Sequence, residues 1–196
     1  MIVVPIYDMI ILPGVTFYFK QDVFQELEIE DVKEGEELIF LYQKEDKERQ
    51  SLTVEDFYPI GVEGKVEGID RDGNINVRTF HRVDIHNIEV TEGNISLEAV
   101  NRDEIEDIDA QECQMRFEKM RTSLLRFAQG FQWGVWARSY ILHWKSISEV
   151  VSALSSYLNL TNEERYQIVE TDVLSQRIEK MEHAVYEFIE VTRVGE

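Results

Sequence analysis

The run Val4-Pro5-Ile6-Tyr7-Asp8-Met9-Ile10-Ile11-Leu12-Pro13-Gly14 constrains the fold of this chain more than any other. From Ile2 to Leu12 it is almost wholly apolar, with Tyr7 and Asp8 as its polar marks. Such a run predicts a buried strand. It is far short of the roughly 20 apolar residues a membrane helix needs. Pro5 falls early, where a missing N–H costs a sheet least. Pro13-Gly14 predicts a hard corner, because proline presets φ at the first turn position and glycine supplies positive φ at the second. Val15 to Phe19 then reopens an apolar run. Two strands joined by a tight corner predict a β-unit that builds its core from the first residues onward.

Charge divides the chain. The formal charge is −19 over 196 residues. Residues 1–108 carry 26 acids and 10 bases, and residues 109–196 carry 13 acids and 10 bases. This asymmetry predicts two subdomains, 1–108 and 109–196. So acidic a chain is a poor match for nucleic acid, which demands Lys and Arg against phosphate. The single cysteine, Cys113, excludes an internal disulfide and fits a reducing cytoplasm. It lies on an apolar helical stripe and reads as a packing residue. No basic segment precedes the first apolar run, so that run is not a signal peptide, and no membrane association is expected.

The first 108 residues read as strands. Asp22 is placed to open a short helix through Leu27 and Ile29. The acids crowded from Glu26 to Glu37 read as a solvated loop or helix face. Leu38 to Tyr42 is a continuous apolar strand. Asp56 to Val62 leads into another, where Gly61, Gly64 and Gly68 predict bulges or close backbone contacts. Asp70-Arg71-Asp72-Gly73-Asn74 predicts a hairpin turn. It lacks the ligand order of a calcium loop, and Asn74 stands where a phosphate loop needs Lys. Ile75, Val77 and Thr79 alternate with polar residues, and Val83 and Ile85 continue the pattern. Ile88 to Ala99 reads as one more hairpin, around Glu92-Gly93-Asn94.

The hydrophobic period changes at Asp109. Cys113, Phe117, Met120, Leu124 and Phe127 recur at four-three spacing, one face of a long helix that Gly130 or Gly134 ends. Ser146 with Glu149, and Thr161 with Glu164, have capping-box form. Leu174, Ile178, Met181, Val185 and Phe188 stripe the last helix. The second subdomain therefore reads as a bundle of about four helices.

No catalytic constellation emerges. His81, His86, His143 and His183 make no ligand pair at helical spacing, and there is no H-E-x-x-H, C-x-x-C or G-x-S-x-G. No metal or cofactor is expected, and the chain reads as a binding module, not an enzyme. Its conspicuous feature is aromatic: Phe131, Trp133, Trp136, Tyr140 and Trp144 fall within 14 residues. These rings read first as core anchors. The functional alternative leaves one or two exposed as an apolar patch for unfolded chains. Phe131, Trp133, Trp136 and Trp144 are then the candidate polypeptide-binding residues. Trp133 leads them, because flanking Gly130 and Gly134 should leave the chain there loosely held.

Several segments in order resemble the N-terminal domain of the Lon protease family. The opening run carries Pro5, Asp8 and Pro13-Gly14 in the family pattern. Gln43-Lys44 resembles the family's Gln-Lys after its apolar strand, and "DFYPIGVEGKV" resembles the strand that follows. "DGNINVRTFHRVDI" resembles the family's Asp-Gly hairpin and places Arg82 on its arginine. "YLNLTNEERYQIVETDVLSQRIEKM" resembles the helical part. The shared order spans about 170 residues. Tyr7 and Thr79 depart from it, standing where the family has Arg and Gly.

The resemblance implies an α+β chain: a PUA-like antiparallel β-subdomain of about six strands and one short helix, then the helical bundle. Pro5, Asp8, Pro13, Gly14 and Arg82 are its implied structural positions. It implies capture of unfolded, damaged or degron-bearing polypeptide for an ATPase-protease partner whose engines are not in this sequence. Running from Met1 to Glu196, the chain reads as a stand-alone relative, expected to be a monomer or weak dimer. The alternative is a scaffold or ligand-binding module with one specific folded partner.

Overall fold

A computed structural model describes residues 1–29 and 32–194. Glu30 and Asp31, from the crowded acidic run, lie outside the described residues. The chain divides into two compact units, Met1–Asp103 and Glu104–Glu196.

The first unit holds one sheet of six strands among the described residues: β1 (Ile2–Ile6), β2 (Thr16–Phe19), β3 (Glu37–Gln43), β4 (Phe57–Ile69), β5 (Ile75–Thr91) and β6 (Asn94–Asn101), with a short helix α1 (Gln21–Glu26). The order is β1-β3-β4-β5-β2, and β6 also pairs with β5. The sheet is mixed, not purely antiparallel as expected: β1 runs parallel to β3, with Val4 opposite Phe40. The chain between these strands spans about 30 residues, long enough for the crossover a parallel pair requires. β5 is the spine, pairing with β2, β4 and β6. Its 17 residues were expected as shorter pieces, but it bends at a register shift between His86 and Glu89, where Asn87 has φ +47°. Register shifts also fall at Gly64 and Gly68 of β4, as their glycines predict.

The opening strand is shorter than its apolar run. β1 ends at Ile6, and Asp8 turns the chain at φ +56°. Ile10, Ile11 and Leu12 are buried without strand structure. Buried backbone outside a ladder needs other partners, and two side chains supply them. The Tyr42 hydroxyl donates to Ile11 O (2.6 Å) and accepts from Ile11 N (3.1 Å). The Thr79 hydroxyl donates to Leu12 O (2.6 Å) and accepts from Val15 N (3.0 Å). Gly14 lies at φ +79°, and its N–H donates to Thr79 O. The Pro13-Gly14 corner is thus pinned to β5 through Thr79. Arg82, on the same strand, is buried and donates to Asp103 O. Around Phe40 the rings of Phe17 and Phe19 close the core, and Phe24 of α1 meets Phe19 edge-on.

The second unit holds five α-helices among the described residues: α2 (Ala110–Ala128), α3 (Gly134–His143), α4 (Ile147–Ala153), α5 (Asn162–Glu170) and α6 (Leu174–Val194). Asp109 caps α2 by accepting from Glu112 N at 2.8 Å. Phe117, Met120, Leu124 and Phe127 of its stripe are buried, each worth about 2 kcal/mol. Thr161 and Glu164 form a complete capping box on α5. At α4 the box is half made: Ser146 caps Glu149 N, but the Glu149 carboxylate accepts from Lys145 N instead of Ser146 N. Ile178, Met181 and Val185 of α6 are buried as expected. Phe188 is only half-buried, because it faces an open groove of this unit.

Candidate functional site: an aromatic groove in the helical unit

The stretch after α2 has too much apolar surface for one face. Val135, Trp136, Ala137, Tyr140, Ile141 and Leu142 are spread all round α3, so no single stripe can dock them all. The helix buries Gly134 and Ile141. Val135 (82%), Trp136 (77%) and Tyr140 (70%) stay exposed.

Beside α3 lies a groove of about 660 Å³. Its walls come from α2 (Leu124, Phe127), α3 (Tyr140, Ile141), the turn after α4 (Leu154, Tyr157) and α6 (Phe188, Thr192), with Trp133 and Trp144 bracketing α3. At its base Phe127 meets Phe188 edge-on, with centroids 5.5 Å apart. Phe131 stacks on Trp133 at 4.6 Å and 20°, and touches Phe127 edge-on at 4.8 Å. Arg193 lies over Phe127, 6.0 Å from the centroid.

Three devices hold these walls. Buried Arg165 donates to the carbonyls of Ser155, Leu158 and Leu160, fixing the turn that presents Tyr157. Arg116 of α2 grips Glu182 of α6 through two bonds of 3.0 and 2.6 Å, a bidentate pairing that adds geometric specificity. Gly134 is buried against the end of α2, and a Cβ on it would overlap the Ala128 carbonyl oxygen. The segment around Trp133 was expected to be loosely held by its glycines. This contact overturns that: Gly134 is there because the backbones touch.

The four candidate aromatics do not form one face. Trp133 and Trp144 line the groove, and Phe131 supports Trp133 from behind. Trp136, three residues from Trp133, is absent from the lining, because Trp133 stands at the cap of α3 and Trp136 inside its first turn. Sequence reasoning missed Tyr157, Leu154 and the groove role of Phe188. Their separation from Trp133 along the chain hid them. A second hollow of about 350 Å³ in this unit is lined partly by Cys113, Lys145 and Arg177. Burial, then the adjacent Glu112, push the Cys113 thiol pKa up, as suits a packing residue. Arg177 is committed to Thr171 O and the Glu104 carboxylate. Among the described residues, no helix is long and apolar enough to cross a membrane.

A mixed sheet carrying the Pro13-Gly14 corner is followed along the chain by a helical bundle with an open aromatic groove. The family model for the ATP-dependent protease La (LON) substrate-binding domain matches residues 1–185, and the chain belongs to that family. A Lon protease of Clostridium beijerinckii is 24% identical over 179 residues. That match covers 89% of this chain but only 22% of the relative's length. The fold is similar to the N-terminal domain of the Mycobacterium avium complex Lon protease, with TM-score 0.58 and 19% identity over 94% of this chain and 96% of that one. A Lon N-terminal domain protein from Xanthomonas campestris aligns over 91% of this chain and 94% of its own, at 15% identity and TM-score 0.48.

Proposed function

We propose that this chain captures unfolded or degron-bearing polypeptide in the aromatic groove of its helical unit, and presents it to an ATP-dependent protease. The observation that carries the reading is the groove itself. Tyr140 (70%), Tyr157 (68%) and Trp133 (48%) remain open to water around a hollow of about 660 Å³. Contiguous apolar surface of this kind is typical of interaction sites. The volume falls within the roughly 300–1,000 Å³ of concave binding sites. Aromatic walls accept many apolar side chains without demanding a particular hydrogen-bond pattern, which suits a site for varied unfolded chains. Membership of a substrate-binding family supports the same reading. The link to a protease rests on the matched relative, whose name is Lon protease.

The test pairs Trp133→Ser with Tyr157→Ser in the full chain and measures melting temperature and affinity for an unfolded model protein. Trp133 and Tyr157 are exposed enough that stability should hold while affinity falls several-fold. The folded form of the same model protein should not bind. Unchanged affinity in both variants would move the binding surface elsewhere.

A further inference from the structure

The outer face of α3 is nearly free of charge in a chain that is 30% charged. Between Arg126 and Lys145, Arg138 is the sole Asp, Glu, Lys or Arg. Trp136 stands one turn before Tyr140, on the same flank of the helix. Tyr140 lines the groove and Trp136 does not, so a projecting indole and a hollow lie side by side on one helix. Val135 and Leu142 expose the other flank, with Ser139 and His143 between. Trp133 and Tyr157 extend the apolar surface across the groove mouth. Aromatic side chains present about 150–250 Å² each, so at their observed exposures these four aromatics and two aliphatics offer roughly 700–800 Å². The largest apolar patch of a typical monomer is about 300–600 Å². Each partner in a stable protein pair covers about 800 Å².

We infer that a second copy of this chain covers the α3 face, in a two-fold pair where Trp136 of each copy enters the groove of the other. Dimerisation then closes the groove. The inference goes beyond the capture reading and stands without it, since the pair needs no captured chain. Area is the first argument: the patch exceeds what a monomer exposes and matches what one side of a dimer buries. Shape is the second. A two-fold contact must be self-complementary, and a ridge beside a hollow meets that demand when the face is turned on itself. Composition is the third. Interface cores are rich in aromatics and poor in Lys, Glu and Asp, as this face is. A face without acids also sets no like charges against themselves, and the helical unit as a whole carries 13 acids against 10 bases. A lipid surface fits less well. Anionic headgroups repel a chain of net charge −19, and a flat surface would leave the hollow unfilled.

Sedimentation velocity on the full chain, over about 1–100 μM, reads the pair directly. Trp136→Glu should weaken association about thirtyfold or more, because each pair loses two inserted indoles. Trp136→Tyr should restore most of it. Tyr157→Ser, on the wall that receives the indole, should weaken it as well. Raising salt from about 0.05 M to about 0.5 M should tighten the dimer, since screening relieves the repulsion between two chains of −19. A pair held by opposite charges would loosen instead, and that result overturns the inference. Should Trp136→Glu melt early, Ser139→Arg, on the exposed middle of the same face, takes its place. A monomer at every concentration overturns the inference, and so does a dimer indifferent to these substitutions. An unfolded model protein that binds should split the dimer; binding that leaves the dimer whole overturns the closed groove. A dimer lost in Trp136→Glu, with no binding of unfolded protein at any concentration, upholds the inference and removes the capture reading alone. A monomer that binds vesicles of phosphatidylcholine and phosphatidylserine overturns it in favour of a lipid surface.

Discussion

Adding a single methyl group at Gly134 should distort the groove from its base. An ideal Cβ there would overlap the Ala128 carbonyl oxygen and lie 2.8 Å from the carbonyl carbon. Ordinary contact begins near 3.4 Å, and the overlapped oxygen is the nearer atom, so α3 must move away from α2 by roughly 1.5 Å. Neither partner can rotate aside, because both are backbone. Overpacking of this kind costs about 1–3 kcal/mol, and a backbone clash belongs at the upper end. For a unit of this size, about 3 kcal/mol lowers the melting temperature by about 12–24 °C. The assay is built into the chain: all three tryptophans, Trp133, Trp136 and Trp144, lie in the helical unit around α3. A thermal melt followed by tryptophan fluorescence therefore reports this unit alone. Gly130→Ala is the control, since its Cβ would sit an ordinary 3.4 Å from Phe127 O. The expected result is a large drop for Gly134→Ala and little change for Gly130→Ala. A Gly134→Ala melting temperature within about 2 °C of the parent would refute the backbone-contact reasoning.

Two further changes probe the N-terminal corner. Gly14→Ala meets no neighbour within 4 Å, so only its positive φ is at stake. It should destabilise the sheet by about 1 kcal/mol in chemical denaturation, and an unchanged midpoint would contradict the turn. Thr79→Val keeps the shape but strips partners from buried Leu12 O and Val15 N. That should cost about 1–3 kcal/mol per orphaned group, read as a lowered denaturation midpoint with the slope unchanged.

What could be read from the residues was local. Asp109 announced α2, and Phe117 to Phe127 gave its buried face, because a helix is settled by neighbours three and four residues apart. Gly14 and Gly73 stood at positive φ where turn chemistry put them. The failures were of two kinds. The apolar run after Ile6 looked like strand, but its partners are the hydroxyls of Tyr42 and Thr79, 31 and 67 residues away. The parallel seat of β1 beside β3 is equally remote from any short pattern. At the groove, the cluster from Phe131 to Trp144 was visible, but which rings faced the hollow was not. That depended on Gly134 ending one segment and opening another, and on Arg165 holding Tyr157 in place from a different helix.

The spine position of β5 sets a timetable for synthesis. β2 has its partner in Ile75–Arg78, and the Pro13-Gly14 corner has its anchor at Thr79. On the ribosome, the segment from Ile2 to Phe19 emerges about 60 residues ahead of that anchor, a gap of about 3–12 s at usual elongation rates. Until Tyr42 follows, 31 residues after Ile11, the residues Ile10, Ile11 and Leu12, which end among the most buried of the chain, have neither of the hydroxyls that later hold their backbone. While it is being made, a protein of a substrate-binding family thus displays the kind of apolar segment its own groove is proposed to receive.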